Sequence, residues 1–288
     1  MTRTVIYFKT CPQHGGKKVN MNKFTTQEQR LDYLLEKFKE DSDKYKKIEI
    51  PKSKEEKQCM LRSLMNIRMP EKMSDEVIKV QDEYLTLRAE EKGTVKLSDI
   101  PVIKKNLSIW QGDITRIEAD AIVNAANSQM LGCFLPMHTC IDNQIHTFAG
   151  VQLRQECNRK MELLRQKYGE DYEQPTALPM LTDAYNLPAK KVIHIVGPIV
   201  YDELSEELKK DLEDCYINTL DLCLENGLKS VAFCCISTGV FRFPNKEAAK
   251  IATKAVEKWS LKYPDSMERI IFNVFKDEDK KYYEEILR

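Results

Sequence analysis

The 288-residue chain predicts an α/β fold, with helices layered on a central sheet and a helical N-terminal extension in front of it. Three observations carry this. From about residue 100, short apolar runs alternate with stretches of helical period, the pattern of strand–helix units. Residues 25–91 instead hold capped amphipathic segments and no strand. Hydrophobic residues make up 42% of the chain and charged residues 31%, which suits a packed core and not a disordered chain.

In chain order, residues 1–22 read as an irregular segment. Cys11, His14 and Gly15-Gly16 offer too few partners there for a metal site. Residues 23–99 form the extension. Its first helix has Thr25 and Glu28 at capping-box spacing, then Leu31, Leu34, Leu35 and Phe38 on one face. The second repeats the device with Ser53 and Glu56, followed by Leu61, Leu64 and Met65, and Pro70 closes it. The third starts at Ser74, with Val77, Val80, Tyr84 and Leu87 as its stripe. Each stripe needs a surface to pack on, so the extension is expected to dock on the rest and to cover apolar surface.

Residues 100–288 form the α/β domain. Its expected strands are 107–111, 121–124, 178–182, 192–196, 231–235 and 270–275. Its expected helices are 142–166, 205–226, 245–262 and 277–287. In such sheets ligands collect in the loops that follow strand ends.

Several function classes are excluded at this stage. Formal net charge is zero, and neither half is basic enough for nucleic acid to be the main partner. No apolar run reaches the ~18 residues of a membrane span, and the N-terminus lacks the apolar region and cleavage site of a secretion signal. A cytoplasmic protein is expected. An odd cysteine count of nine does not suggest a disulfide framework. Cys157, Cys215, Cys223, Cys234 and Cys235 read as buried reduced thiols.

Three loops carry chemistry. In Gly112-Asp113-Ile114-Thr115, the Asp113 carboxylate can accept from an exocyclic amine such as that of adenine, or simply cap a turn. The second loop follows Ile122-Val123-Asn124-Ala125-Ala126-Asn127. There Cys133, His138 and Cys140 form C-x4-H-x-C, thiolates and an imidazole of the kind zinc prefers. Three ligands without a fourth leave a coordination position open; the plain alternative is two unrelated thiols. Asp142 and His146, four apart, share a helix face. Asp142 can act beside a metal or serve as an N-cap, and His146 can be a rival ligand or a core histidine. The third loop, Ile236-Ser237-Thr238-Gly239-Val240-Phe241, precedes a helix. Its N–H groups can surround a phosphate, and Phe241 can lie against a sugar or base. It lacks the lysine of a triphosphatase loop, and a plain strand–helix connection is the alternative.

Taken together and in order, these motifs resemble the macrodomain family over about residues 106–287. Tyr185-Asn186-Leu187-Pro188 and Val192-Ile193-His194-Ile195-Val196-Gly197-Pro198 match as well. The resemblance implies a three-layer α/β/α macrodomain with a mixed central sheet that binds ADP-ribose. Asp113 and Ile114 would then hold the adenine end and Asn127 the distal ribose. Ser237, Thr238, Gly239, Val240 and Phe241 would wrap the diphosphate and that ribose. The family's usual glycine-rich run is replaced by the segment from Gly132 to His146, which is similar to a zinc-containing subclass that also has a helical extension. By that resemblance Cys133, His138 and Cys140 hold zinc, Asp142 is the catalytic aspartate assisted by Asn127, and His146 matches a family histidine. The implied activity is zinc-dependent hydrolysis of mono-ADP-ribose from protein side chains, with Asp or Glu linkages the expected target. Three alternatives stay open: a reader module that binds ADP-ribose without cleaving it, an O-acetyl-ADP-ribose deacetylase, and zinc as a purely structural clip. The subclass also implies a lipoyl-carrier protein as modified partner and a functional link to a sirtuin-like ADP-ribosyltransferase.

Overall fold

The computed structural model describes residues 24–287, so the irregular segment expected over residues 1–22 lies outside the described residues. The chain opens with α1 (Gln27–Lys39), α2 (Asp43–Lys46), α3 (Lys54–Ile67) and α4 (Asp75–Lys92). Ser53 and Ser74 cap α3 and α4 as expected. The capping box of α1 sits one residue later than the expected Thr25. Thr26 accepts from the Gln29 N–H, and the Gln29 side chain reaches back to the cap. Glutamine serves this role as well as glutamate does, which is how the register slipped. The short α2 was not expected. Leu31, Leu34, Leu35 and Phe38 meet Leu61, Leu64, Met65, Val77, Val80, Tyr84 and Leu85 in a small core. Leu85, not the expected Leu87, is the buried leucine of α4.

Seven strands then form one mixed sheet: β2 (Val102–Lys104), β3 (Leu107–Gln111), β5 (Ala121–Ala126), β6 (Met180–Asp183), β7 (Lys191–Val196), β8 (Ser230–Phe233) and β9 (Arg269–Val274). Their spatial order is β2-β3-β9-β8-β5-β7-β6. The edge strands β2 and β6 run antiparallel to their neighbours, and the five between them are parallel. A separate parallel pair joins β1 (Val95–Lys96) to β4 (Ile117–Glu118), so residues just after α4 pair with the α/β part. The edge strand β2, with every residue exposed, has no burial pattern to betray it in the sequence.

Helices cover both faces. Tyr216 of α7 (Glu206–Glu225) packs on Phe233, and Tyr283 of α9 (Asp277–Leu287) packs on Phe272. Between them lies α8 (Asn245–Lys262), whose Trp259 donates to Asp221 of α7. Residues alternate across a strand, so Asn124 and His194 face the opposite side. That side meets α5 (Ile141–Ala149) and α6 (Val151–Tyr168). The single helix expected over 142–166 is therefore two. Gly150, at φ +97°, breaks it, a conformation glycine adopts without strain. The strand expected from Leu178 begins at Met180, because Ala177 sits at φ +61° in a turn that the Leu178 N–H closes onto Pro175 O.

Parallel strands end on one side of a sheet. The loops after β3, β5, β7 and β8 therefore open at the same edge, which gathers Asp113, Asn127, Gly197 and Ser237.

Candidate active site

The asparagine stretch leaves the sheet along β5. Asn124, fully buried, uses both amide hydrogens: Nδ2 donates to Asp142 Oδ1 at 2.8 Å and meets His194 Nδ1 at 3.0 Å. With that Nδ1 accepting, neutral His194 carries its proton on Nε2, facing Thr182 Oγ1 at 3.0 Å and Cys157 Sγ at 3.7 Å. Burial drives the pKa of His194 down to about 3, so it stays neutral. Asn127, past the strand end, donates from Nδ2 to Gly132 O at 3.2 Å and lies 3.5 Å from Asp142 Oδ2.

Gly132 turns the chain into the cysteine loop at φ +81°. A Cβ there would come within 2.8 Å of the His146 ring. The loop brings Cys133, His138 and Cys140 together, with donor atoms within 4.8 Å of one another. Cys133 Sγ and His138 Nδ1 are 3.6 Å apart. Bonds of about 2.3 Å to sulfur and 2.0–2.1 Å to nitrogen, meeting at a tetrahedral angle, put such donors about 3.6 Å apart. The donor set and this spacing fit zinc. Cys140 also caps α5, its Sγ accepting from the Asn143 N–H at 3.5 Å. Burial pushes its thiol up, so thiolate there needs a nearby cation.

Asp142 follows in the first turn of α5 and is only 5% exposed. Burial raises its pKa to about 6, against the lowering effects of the Asn124 hydrogen bond and the Arg154 charge. His146 stacks one turn on, its Nε2 3.5 Å from Asp142 Oδ1. Its ring nitrogens are buried without a hydrogen bond, and burial holds it neutral. His146, Cys157 and His194 form a second close grouping of ligand types, wholly buried. Within it only Cys157 and His194 are in hydrogen-bond contact, and His194 already meets Asn124 and Thr182 through its two ring nitrogens.

At the end of β3, Asp113 is already engaged. Its Oδ1 accepts from the Thr115 N–H at 3.0 Å and hydroxyl at 2.6 Å, and Lys92 Nζ lies 2.6 Å from Oδ2. Burial would raise its pKa, but the Lys92 and Thr115 bonds outweigh that and hold it below the usual carboxylate range. Ile114 as a whole residue is only 1% exposed, so neither its side chain nor its backbone presents much surface here.

In the third loop Ser237 is buried at φ +65° and packs against Gly197, where a Cβ would meet Ser237 Oγ at 2.1 Å. Thr238 Oγ1 donates to Cys235 O at 3.0 Å, and the Arg242 and Phe243 N–H groups close the turn onto Gly239 and Ser237 carbonyls. The N–H groups of Gly239, Val240 and Phe241 have no acceptor among the described residues, which suits an anion cradle ahead of the α8 N-terminus. Val240 is 71% exposed, and Phe241 is half-buried against the core.

Sequence reasoning missed the role of Asn124 and His194, as well as Lys92, Arg62, Asn66 and Asn143. Strand alternation places Asn124 and His194 on the inner face, a signal available in the sequence. The others act across elements far apart in the chain.

A family model described as "Macro domain" matches residues 123–252. The chain is 44% identical to a protein-ADP-ribose hydrolase of Treponema medium, over 91% of this chain and 99% of that protein. It is 42% identical to a protein-ADP-ribose hydrolase of Staphylococcus aureus strain MRSA252, over 89% of this chain and 94% of that one. Among solved structures, the Trypanosoma brucei macrodomain in complex with ADP-ribose superposes with a TM-score of 0.61. It is 26% identical and covers 79% of this chain and 95% of that one.

Proposed function

The chain belongs to the macrodomain family, and on that premise we propose that it is a zinc-dependent hydrolase that removes mono-ADP-ribose from modified protein side chains. Relatives named protein-ADP-ribose hydrolase along nearly their whole length support the reaction class. The observation that carries the zinc reading is Cys133, His138 and Cys140 converging two residues before a buried carboxylate.

ADP-ribose lies across the strand-end edge in this reading. The free N–H groups of Gly239, Val240 and Phe241 hold the diphosphate, with Ser237 and Thr238 shaping the turn. Asp113 and Ile114 meet the adenine, and Asn127 fixes the distal ribose. Cys133, His138 and Cys140 would hold zinc, which would supply Lewis-acid polarisation to the reaction. Asp142 takes the proton of the attacking water, while Asn124 keeps its carboxylate aimed. A carboxylate with its pKa lifted to about 6 holds a proton more readily than an exposed one, as a general base needs. The target linkage is the ester on Asp or Glu, and a lipoyl-carrier protein modified by a sirtuin-like transferase is the proposed partner.

Cys133→Ala tests the metal role. Zinc content and release of ADP-ribose from a modified protein are measured on the same preparation. Loss of both is expected; verified zinc loss with turnover unchanged would remove zinc from the mechanism.

A further inference from the structure

The cysteine loop has little support of its own. Among the described residues, one backbone bond closes within it, from the His138 N–H to Leu135 O at 3.2 Å. A three-donor site needs its ligands held at fixed spacing by the groups behind them. Those groups come from α3 of the extension together with α5 and α6.

Arg62 of α3 donates from one Nη2 to His138 O at 2.7 Å and to Asn143 Oδ1 at 2.8 Å. Asn143, with no exposed surface, passes the contact on. Its Nδ2 donates to Cys133 O at 3.3 Å and Leu135 O at 3.0 Å, and its N–H reaches Cys140 Sγ. One guanidinium thus connects to the backbone of Cys133, the backbone of His138 and the sulfur of Cys140. One turn on, Asn66 is 1% exposed. Its Oδ1 accepts from the Met137 N–H at 3.1 Å, and its Nδ2 donates to Thr147 of α5 at 2.9 Å. Met137 sits at φ +58°, and this bond holds its strained turn directly before His138. Arg154 completes the frame. It donates to Leu131 O at 2.7 Å, to Met65 O at 3.0 Å at the end of α3, and lies over the Phe134 ring.

Arg62 and Asn66 are four apart and so share a face of α3. The apolar residues Leu61, Leu64 and Met65 serve a different purpose, filling the small core of the extension. A helix that merely covered apolar surface would have no need of the polar stripe. Buried amides in fixed partnerships cannot exchange them for water cheaply, so the stripe is a rigid connection.

We propose that α3 is a built part of the metal site: Arg62 and Asn66 are positioning residues that set the spacing of Cys133, His138 and Cys140. They thereby govern how tightly and for how long the ion is held. This rests on the reading of those three residues as zinc ligands. The extension, on this account, does more than cover the sheet domain.

The test uses the full chain loaded with zinc alone, in wild-type, Arg62→Met, Arg62→Lys and Glu55→Gln forms, the last an exposed control on the same helix. Zinc release into excess 4-(2-pyridylazo)resorcinol is timed, the electronic spectrum of the cobalt-substituted protein is recorded, and circular dichroism verifies the fold. Arg62→Met is expected to release zinc about tenfold faster or more, with shifted cobalt bands. Arg62→Lys should fall between, and Glu55→Gln should match wild type. Should Arg62→Met not fold, Arg62→Lys carries the same comparison. Release at the wild-type rate with an unchanged cobalt spectrum would overturn the inference alone. Wild-type protein that takes up neither metal would overturn it together with the zinc reading.

Discussion

Asp142 shows how one side chain is prepared by residues it does not resemble. Its place in the first turn of α5 follows from Cys140 capping that helix, and its direction follows from the Asn124 amide. The amide is in turn held by neutral His194, since a protonated Nδ1 could not accept from it. Asp142→Asn keeps the shape and removes the proposed base. We expect turnover to fall by about 10²–10⁴-fold with ADP-ribose affinity retained, read by release assay and calorimetry. At the proposed diphosphate loop the controlling residue is Gly197. An added Cβ would press on Ser237 Oγ at 2.1 Å and Ile236 Cγ2 at 2.7 Å. Gly197→Ala is expected to weaken ADP-ribose binding about tenfold, roughly 1.4 kcal/mol, by displacing that turn. The candidate loops were legible in the sequence because loop chemistry is local: C-x4-H-x-C and Ser-Thr-Gly advertise themselves. It could not display Lys92 on Asp113 or Arg62 behind His138, whose partners lie 21 and 76 residues away, because such pairings exist only once helices dock.

Among elements, the parallel strands β5, β7, β8 and β9 were legible because burial on both faces leaves continuous apolar runs. The edge strand β2 was not, for its side chains are exposed and only backbone bonds define it. The break between α5 and α6 is the instructive case. Helical period continues through it, and the one sign is Gly150. Here the Gln81 side chain of α4 replaces a missing cap. Its Oε1 accepts from the Val151 N–H at 3.1 Å, and a Cβ on Gly150 would lie 2.6 Å from its Nε2. Gly150→Ala is therefore expected to cost about 1–3 kcal/mol, from left-handed strain and displacement of Gln81. Chemical denaturation checks this, and an unchanged midpoint would mean that the joint is tolerant.

Across the molecule, the extension is tied to the α/β part by Val151 of α6 packed in its core and by polar bonds from Gln81 to Val151, Asn66 to Thr147 and Arg154 to Met65. The sequence indicated that the extension would dock, since its stripes demanded burial, but not that its polar face would reach the site. Acid should test the buried histidines. His194, with its pKa near 3 in the fold and 6.5 when free, takes up a proton on unfolding throughout that window. The stability this confers is present above pH 6.5 and is lost as pH falls toward 3, at about 1.4 kcal/mol per unit. Asp142, raised to about 6, acts in the opposite direction between pH 3.8 and 6. The comparison is therefore between slopes: metal-free His194→Gln should lose stability less steeply than metal-free wild type from pH 7 to 5. The central claim concerns the whole molecule acting on another protein. Purified zinc-loaded enzyme is incubated with a protein carrying mono-ADP-ribose on Asp or Glu, and free ADP-ribose is quantified with and without prior chelation. The account predicts release by the loaded enzyme that falls sharply after chelation and returns with added zinc. Tight binding of ADP-ribose without release from the modified protein would contradict it.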